Sequence, residues 1–206
     1  MLLAALLSST VLASHSRLDV VHPRAADDNI VVITSETSFC MIMPRGAHTD
    51  VGASEYPGGM QTYCSAKGHY SPQQGRLPED FWRTVQFRSG SGKNGKKYTQ
   101  RMSLSYTALP VAHTGAALVT GCIRPEHVSQ LNAGDSGGQY DSSGGARGRG
   151  NPEGSVCLGY NHYVELVEPA GPRACIRCCD DAADCPTNKD TAGCPNVIPG
   201  DYSGCN

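Results

Sequence analysis

Ten cysteines, six of them within the final 32 positions, constrain this 206-residue chain more than any other feature. They are Cys40, Cys64, Cys122, Cys157, Cys175, Cys178, Cys179, Cys185, Cys194 and Cys205. An even number, in a chain that begins with an export-type segment, implies a disulfide framework of up to five bonds in an oxidising compartment. The tail 175–206, which contains CCDDAADCPTNKDTAGCPNVIPGDYSGC, has too few apolar residues to bury a core of its own and must be stapled covalently. Thiolate ligation of zinc by Cys175, Cys178, Cys179 and Cys185 is the rival reading. It lacks a second C-x2-C at the usual spacing, and oxidising conditions favour disulfides over free thiolates, so no metal is assigned. Adjacent side chains point in opposite directions on an extended strand, so Cys178 and Cys179 should pair with different partners. The spacing leaves the rest of the connectivity open.

Residues 1–13, MLLAALLSSTVLA, have the length and apolarity of a signal h-region and end in small or branched residues suited to cleavage. They are read as a secretory signal peptide. Residues 14–29 are polar, contain Pro23, show neither structural period and read as a flexible linker or propeptide. What remains, 30–206, is one disulfide-rich domain. With 17 Lys+Arg against 19 Asp+Glu there is no global field to gather nucleic acid, and no later apolar run is long enough to span a membrane.

Within the domain the apolar pattern is that of strands. Residues 30–34 (IVVIT) and 38–43 (SFCMIM) are short and branched or apolar, 84–88 alternate, 160–167 (YNHYVELV) form the clearest strand before Glu168-Pro169, and 174–178 form another. Asn94-Gly95 supplies hairpin chemistry within 89–97. Only short helices are expected, near 78–84 and 125–131. The fold class that follows is mainly β: a small disulfide-stapled β-sandwich or barrel with long Gly/Pro-rich loops and at most short helices.

Residues 101–119 break this pattern as a 19-residue cysteine-free insertion between KKYTQ and TGCI. Arg-Met-Ser can be encoded C-GTATGT-CN, which holds a common fungal splice donor, and Leu-Val as CTA-GTN, which holds an acceptor. Excision keeps the frame and leaves a single Leu, giving KKYTQLTGCI, a well-formed alternating strand. The segment is read as a retained intron, with a genuine surface loop as the alternative.

Several motifs invite a mechanism. Gly134-Asp135-Ser136-Gly137-Gly138 matches the nucleophile loop of chymotrypsin-like proteases. Only about 120 mature residues precede Ser136, too few for two barrels carrying a base and an orienting acid, and the surrounding Gly/Ser/Asp-rich loop makes a chance match cheap. His48 and His113 share an Ala-His-Thr context without a partner pattern. In 160–167 the strand period puts Asn161, Tyr163, Glu165 and Val167 on one face and Tyr160, His162, Val164 and Leu166 on the other, with one row facing the core and the other solvent. The sharper version makes the Tyr-bearing row a carbohydrate surface, because sugar C–H faces stack on aromatic planes while Asn, Asp and Glu accept hydroxyls. Tyr140, Asp141, Asn161, Tyr163 and Glu165 are the candidate ligand contacts. A glycosidase carboxylate pair could be drawn from Asp135, Asp141, Glu153, Glu165 or Glu168. Asp180, Asp181, Asp184, Asn188 and Asp190 do not follow the EF-hand order and read as a solvated acidic loop. No P-loop or dinucleotide fingerprint occurs, and no cofactor is implied. No Asn-x-Ser/Thr acceptor occurs either.

At SETSFCMIMPR, GGMQTYC, QYDSSGG, GSVCLGYNHYVELVEPAGPRACIRCCDDAADCPTNKDTAGCP and VIPGDY the chain resembles a group of small secreted cysteine-rich fungal proteins, mainly of basidiomycetes. The likeness covers about residues 30–206 apart from the insertion. It implies a secreted fungal product that meets cell walls or hosts, and it carries over no catalytic residues.

The functional expectation is an extracellular binding or effector-like protein that engages cell-wall polysaccharide or a host surface component. A small secreted hydrolase of glycoside or peptide bonds, and a secreted inhibitor or toxin, are the alternatives. Oligomeric state is left open. A non-reduced mass with a peptide map across 97–124 of the natively secreted protein is expected to show a single Leu in place of 101–119 and ten thiol hydrogens lost; an intact segment would overturn the intron reading.

Overall fold

The computed structural model describes residues 25–90, 115–143 and 152–205. The expected signal peptide, most of the linker, the hairpin tip at 91–97 and residues 101–114 of the insertion lie outside them. Among the described residues ten strands form two five-stranded sheets, a β-sandwich. The first sheet is built from β1 (Ile30–Ser35), β2 (Ser38–Pro44), β3 (Met60–Cys64), β4 (Gly75–Arg76) and β8 (Val156–Cys157), in the order β4-β3-β2-β1-β8. The second comprises β5 (Trp82–Gly90), β6 (Ala116–Ile123), β7 (Gly138–Asp141), β9 (His162–Glu168) and β10 (Arg173–Cys179), in the order β5-β6-β10-β9-β7. All pairings are antiparallel except the two-residue edges, where β4 runs parallel to β3 and β8 to β1.

Alternation builds the core. Val31, Ile33, Phe39, Met41, Met43 and Tyr63 from the first sheet meet Val119, Ile123, Tyr140, Tyr163, Val167 and Ile176 from the second, all buried. Each such side chain contributes roughly 1.5–3 kcal/mol relative to exposure. The helix expected at 78–84 is absent. Phe81 and Trp82 instead pack against each other edge-on at 4.7 Å and against Phe39 at 6.2 and 5.5 Å, and Trp82 opens β5 by pairing with Ile123. Aromatic burial overrides the local helical pattern there. At 125–131 only a 3-10 turn, Pro125–His127, forms. Ala116, Ala117, Leu118 and Val119, placed in the insertion by the reading-frame argument, form the first half of β6; Thr120 to Ile123 complete it.

All ten cysteines are bonded: Cys40–Cys64, Cys122–Cys205, Cys157–Cys178, Cys175–Cys194 and Cys179–Cys185. Cys178 and Cys179 do take different partners. Their set fits an oxidising, extracellular-type environment. On β10 the even positions Ala174, Ile176 and Cys178 face the inter-sheet core, and Cys178 crosses it to Cys157 on β8. The odd positions Cys175 and Cys179 face outward, where they hold the tail. The tail adds Cys185, Cys194, Val197 and Ile198 to a second cluster with Val164 and Leu166, and includes the short helix α1 (Cys194–Val197). The outer row of β9 is therefore covered, and the expected solvent-facing row does not exist: both faces of β9 are buried.

Among the described residues no helix is long and apolar enough to cross a membrane. Replacing Cys157 and Cys178 together by Ala is expected to lower unfolding stability by about 3 kcal/mol, the loop-closure value for a crosslink spanning 21 residues. Guanidinium titration of oxidised wild type and double variant measures it; equal midpoints would show that this bond does not hold the two sheets together.

Candidate functional site

Four of the five sequence-predicted contacts are enclosed. Tyr140, Tyr163 and Glu165 have no exposed surface and Asp141 only 3%, so none can present a ring or carboxylate face to a polysaccharide. The correction follows from the coverage of β9: the Tyr-bearing row points into the sandwich. Strand pairing sets Tyr140 opposite Glu165, with Tyr163 on the same face. Each phenol is tied down, Tyr140 to Ser54 Oγ at 2.8 Å and Tyr163 to Ser155 Oγ at 2.7 Å. Burial pushes both phenols well above their ordinary range. Asn161 alone of the five is exposed, and its amide donates to the Asp180 carbonyl.

Most carboxylates named from the sequence hold the chain in place. Asp135 accepts from Val51 N at 2.7 Å, Glu168 from Arg173 Nε at 2.6 Å and Cys194 N at 3.0 Å, and Asp180 from Gly115 N. Asp181 caps the 3-10 turn Ala182–Asp184 through Ala183 N. Glu153 meets Asn29 through its backbone carbonyl. The protease-like loop is a turn into β7. Gly137 sits at φ 94°, and a Cβ there would lie 2.1 Å from the Val167 carbonyl oxygen, which accounts for the glycine without chemistry. The Asp135 carboxylate turns to the Val51 amide, and Ser136 is exposed.

The structure instead draws attention to the outer edge of β7. A cleft of about 590 Å³ is lined by Ser142, Ser143 and His162 on one side and by Ala182, Ala183, Cys185, Pro186, Thr187 and Asn188 of the tail on the other. Such a volume lies in the range of small-molecule sites. Asp141 borders it: its Oδ1 accepts from Ser143 N at 2.7 Å and Ser143 Oγ at 2.5 Å, while its Oδ2 accepts from the buried Gln139 amide at 3.0 Å. Asp190 follows two residues after the lining Asn188.

Facing these two carboxylates is Glu55, which the sequence pattern does not single out. Tyr140 fixes its position, because the neighbouring Ser54 is pinned between the Tyr140 hydroxyl and the Val51 carbonyl. Partial burial, and then the charges of Asp190 and Asp141, push the Glu55 carboxyl up to about 7. Tyr56, the next residue, is 58% exposed. Its ring lies against Gly59, where a Cβ would come within 2.7 Å of the ring and 2.3 Å of the Ser54 carbonyl. A carboxyl that holds its proton to neutrality thus lies at the Gly138 end of β7, and a cleft of hydroxyl, imidazole and amide groups opens just past its other end. Among the described residues no group of three His, Cys, Asp or Glu side chains is arranged to hold a metal ion.

No family model, no curated protein and no solved structure matches this chain.

Carboxyl-carbon NMR should find Glu55 titrating near 7, and Asp190→Asn should move that midpoint downward by removing the larger of the two charges acting on it. A midpoint at the ordinary carboxylate value in the wild type would show that the edge is open and hydrated.

Proposed function

We propose that this protein is a secreted fungal carbohydrate-binding protein, exported by the segment at 1–13, that engages cell-wall polysaccharide along the β7 edge. What supports the reading is the cleft of hydroxyl, imidazole and amide groups just past the end of β7, together with the raised carboxyl of Glu55, its charged neighbour Asp190 and the exposed Tyr56 in the loop that packs on the same strand. A pyranose offers an apolar C–H face and a rim of hydroxyls. The ring takes the first and carboxylates, Asn188 and the serines take the second. A fixed scaffold of five disulfides limits the ordering cost of binding.

Glycoside hydrolysis at the same edge is the second reading. What favours it is Glu55, raised to about 7 with the Asp190 carboxyl as the larger charge acting on it: an acid to protonate a leaving oxygen beside a second carboxyl to serve as base or nucleophile is the division of labour such chemistry needs.

Pull-down on chitin, β-glucan and cellulose separates these. Binding predicts retention on at least one matrix and a loss of about tenfold in affinity for Tyr56→Ala, in the range expected when one stacking ring is removed. Retention on none of the three, at any pH between about 4 and 8, sinks the polysaccharide reading. Under hydrolysis, reducing ends accumulate on the retained matrix and Glu55→Gln abolishes their release while leaving retention in place; a wild type that binds without releasing them is a binding protein only.

A further inference from the structure

In the middle of the inter-sheet core stands a carboxyl group with no charged partner among the described residues. Glu165 lies on β9 between Ile176 of β10 and Tyr140 of β7, in a row that continues through Val119 of β6. It has no exposed surface. Its Oε2 accepts one hydrogen bond, 3.0 Å from Ile42 N on β2 of the opposite sheet, and Oε1 has no partner among the described residues.

The geometry of the first sheet explains why Ile42 needs that bond. Cys40 and Cys64 face each other with Cα atoms 4.0 Å apart, the close spacing of a pair that exchanges no backbone hydrogen bonds. Two residues on, Ile42 opposite Thr62 is a pair of the same kind, so the Ile42 N–H points away from β3, toward β1. The β1–β2 ladder runs from Ser35–Ser38 only to Val32–Cys40. Beyond it β1 turns to other partners, the Ile30 amide and carbonyl both bonding the Thr62 hydroxyl. The Ile42 amide is left without a strand partner, and a side chain from the other sheet fills the gap.

The other polar groups around Glu165 are committed elsewhere. The Tyr140 hydroxyl is held by Ser54 and that of Tyr163 by Ser155. From β10 it meets Ile176, and the flanking β2 residues Met41 and Met43 are apolar and fully buried. The acids Glu55 and Asp135 act on Tyr140, and Asp141 on Tyr163, each adding negative potential to this region. Among the described residues no ion pair reaches Glu165.

We propose that the Glu165 carboxyl is a proton-operated latch between the two sheets, closing the sandwich as the neutral acid and loosening it as the anion. The neutral acid leaves one uncharged O–H without a partner, a smaller penalty than that of an anion in an apolar core with one donor and no counter-charge. Desolvation accordingly drives the folded-state carboxyl well above its ordinary range, with the Ile42 bond opposing only in part. The unfolded chain ionises in the ordinary carboxylate range, so below that range ionisation adds no penalty to the folded state. As pH rises toward the folded-state value, the unfolded state is increasingly favoured, by about tenfold in the folding constant per pH unit. The protein is thereby fitted to acid surroundings, whatever the cleft binds.

Denaturant unfolding of Glu165→Gln against the parent, both carrying Glu55→Gln to remove the other raised acid, tests this between about pH 4 and 8. The amide keeps an acceptor for Ile42 and cannot ionise. The parent should lose about 100-fold in folding constant, relative to the Glu165→Gln variant, between about pH 5 and 7. Parallel profiles overturn the latch. Should the Glu165→Gln variant not fold, infrared spectroscopy of the folded Glu55→Gln protein decides: a buried protonated-carboxyl band at about pH 7 is the expected result, and its absence overturns the proposal.

Discussion

Strand β10 is the element on which the rest of the molecule depends. A strand offers its side chains alternately to two faces, and here both faces are crosslinked: Cys178 inward to the first sheet, Cys175 and Cys179 outward to the tail. A chain with few aromatic residues and 24 glycines cannot rely on core area alone to hold three layers together. By placing three sulfurs on one central strand, flanked by β6 and β9, it ties first sheet, second sheet and tail to a common reference. The Cys122–Cys205 bond then anchors the end of the tail to the neighbouring strand β6.

That arrangement also decides where chemistry is available. With both faces of β9 and β10 covered, the functional groups of this half of the sheet reach solvent only at the β7 edge. The edge strand β7 is short, and its inward residue Tyr140 reaches through Ser54 to place Glu55, while its outward residue Asp141 borders the cleft under the tail. One strand thereby connects the acid inside the core at Glu165 with the acids at the surface, through the pairing of Tyr140 with Glu165.

Strands rich in branched residues were legible in the sequence: 30–34, 38–43, 160–167 and 174–178 all fall within observed strands to within two residues at either end, because local alternation and tertiary burial agree there. Gly138–Asp141 and Val156–Cys157 were not, since a Gly-flanked or two-residue edge gives no periodic signal and forms only when a partner strand is present. Met60–Cys64 was hidden by the mixed polarity of MQTYC, whose register comes from the Cys40–Cys64 bond. The site was misread for a related reason. Period-two patterning predicts one buried face, but the layer covering the outer face of β9 comes from Cys194, Val197 and Ile198, about thirty residues later. Glu55 lies in a loop whose placement depends on Tyr140, a contact across 86 positions that no local pattern encodes. The separate partners of Cys178 and Cys179, by contrast, followed from strand geometry alone.

That adjacency bears on how the oxidised protein is made. Two neighbouring thiols compete for the same two partners, Cys157 and Cys185, and exchanging them would turn β10 over, sending core residues outward. The correct bonds are favoured only once β10 already lies between β6 and β9, so the covalent pattern is a record of strand register. Thiol–disulfide exchange in the oxidising compartment acts on this protein as error correction: a misregistered chain carries the wrong bonds, exposes apolar surface and stays open to reshuffling, while the native one buries Cys178 and Cys179 beyond the reach of an attacking thiolate.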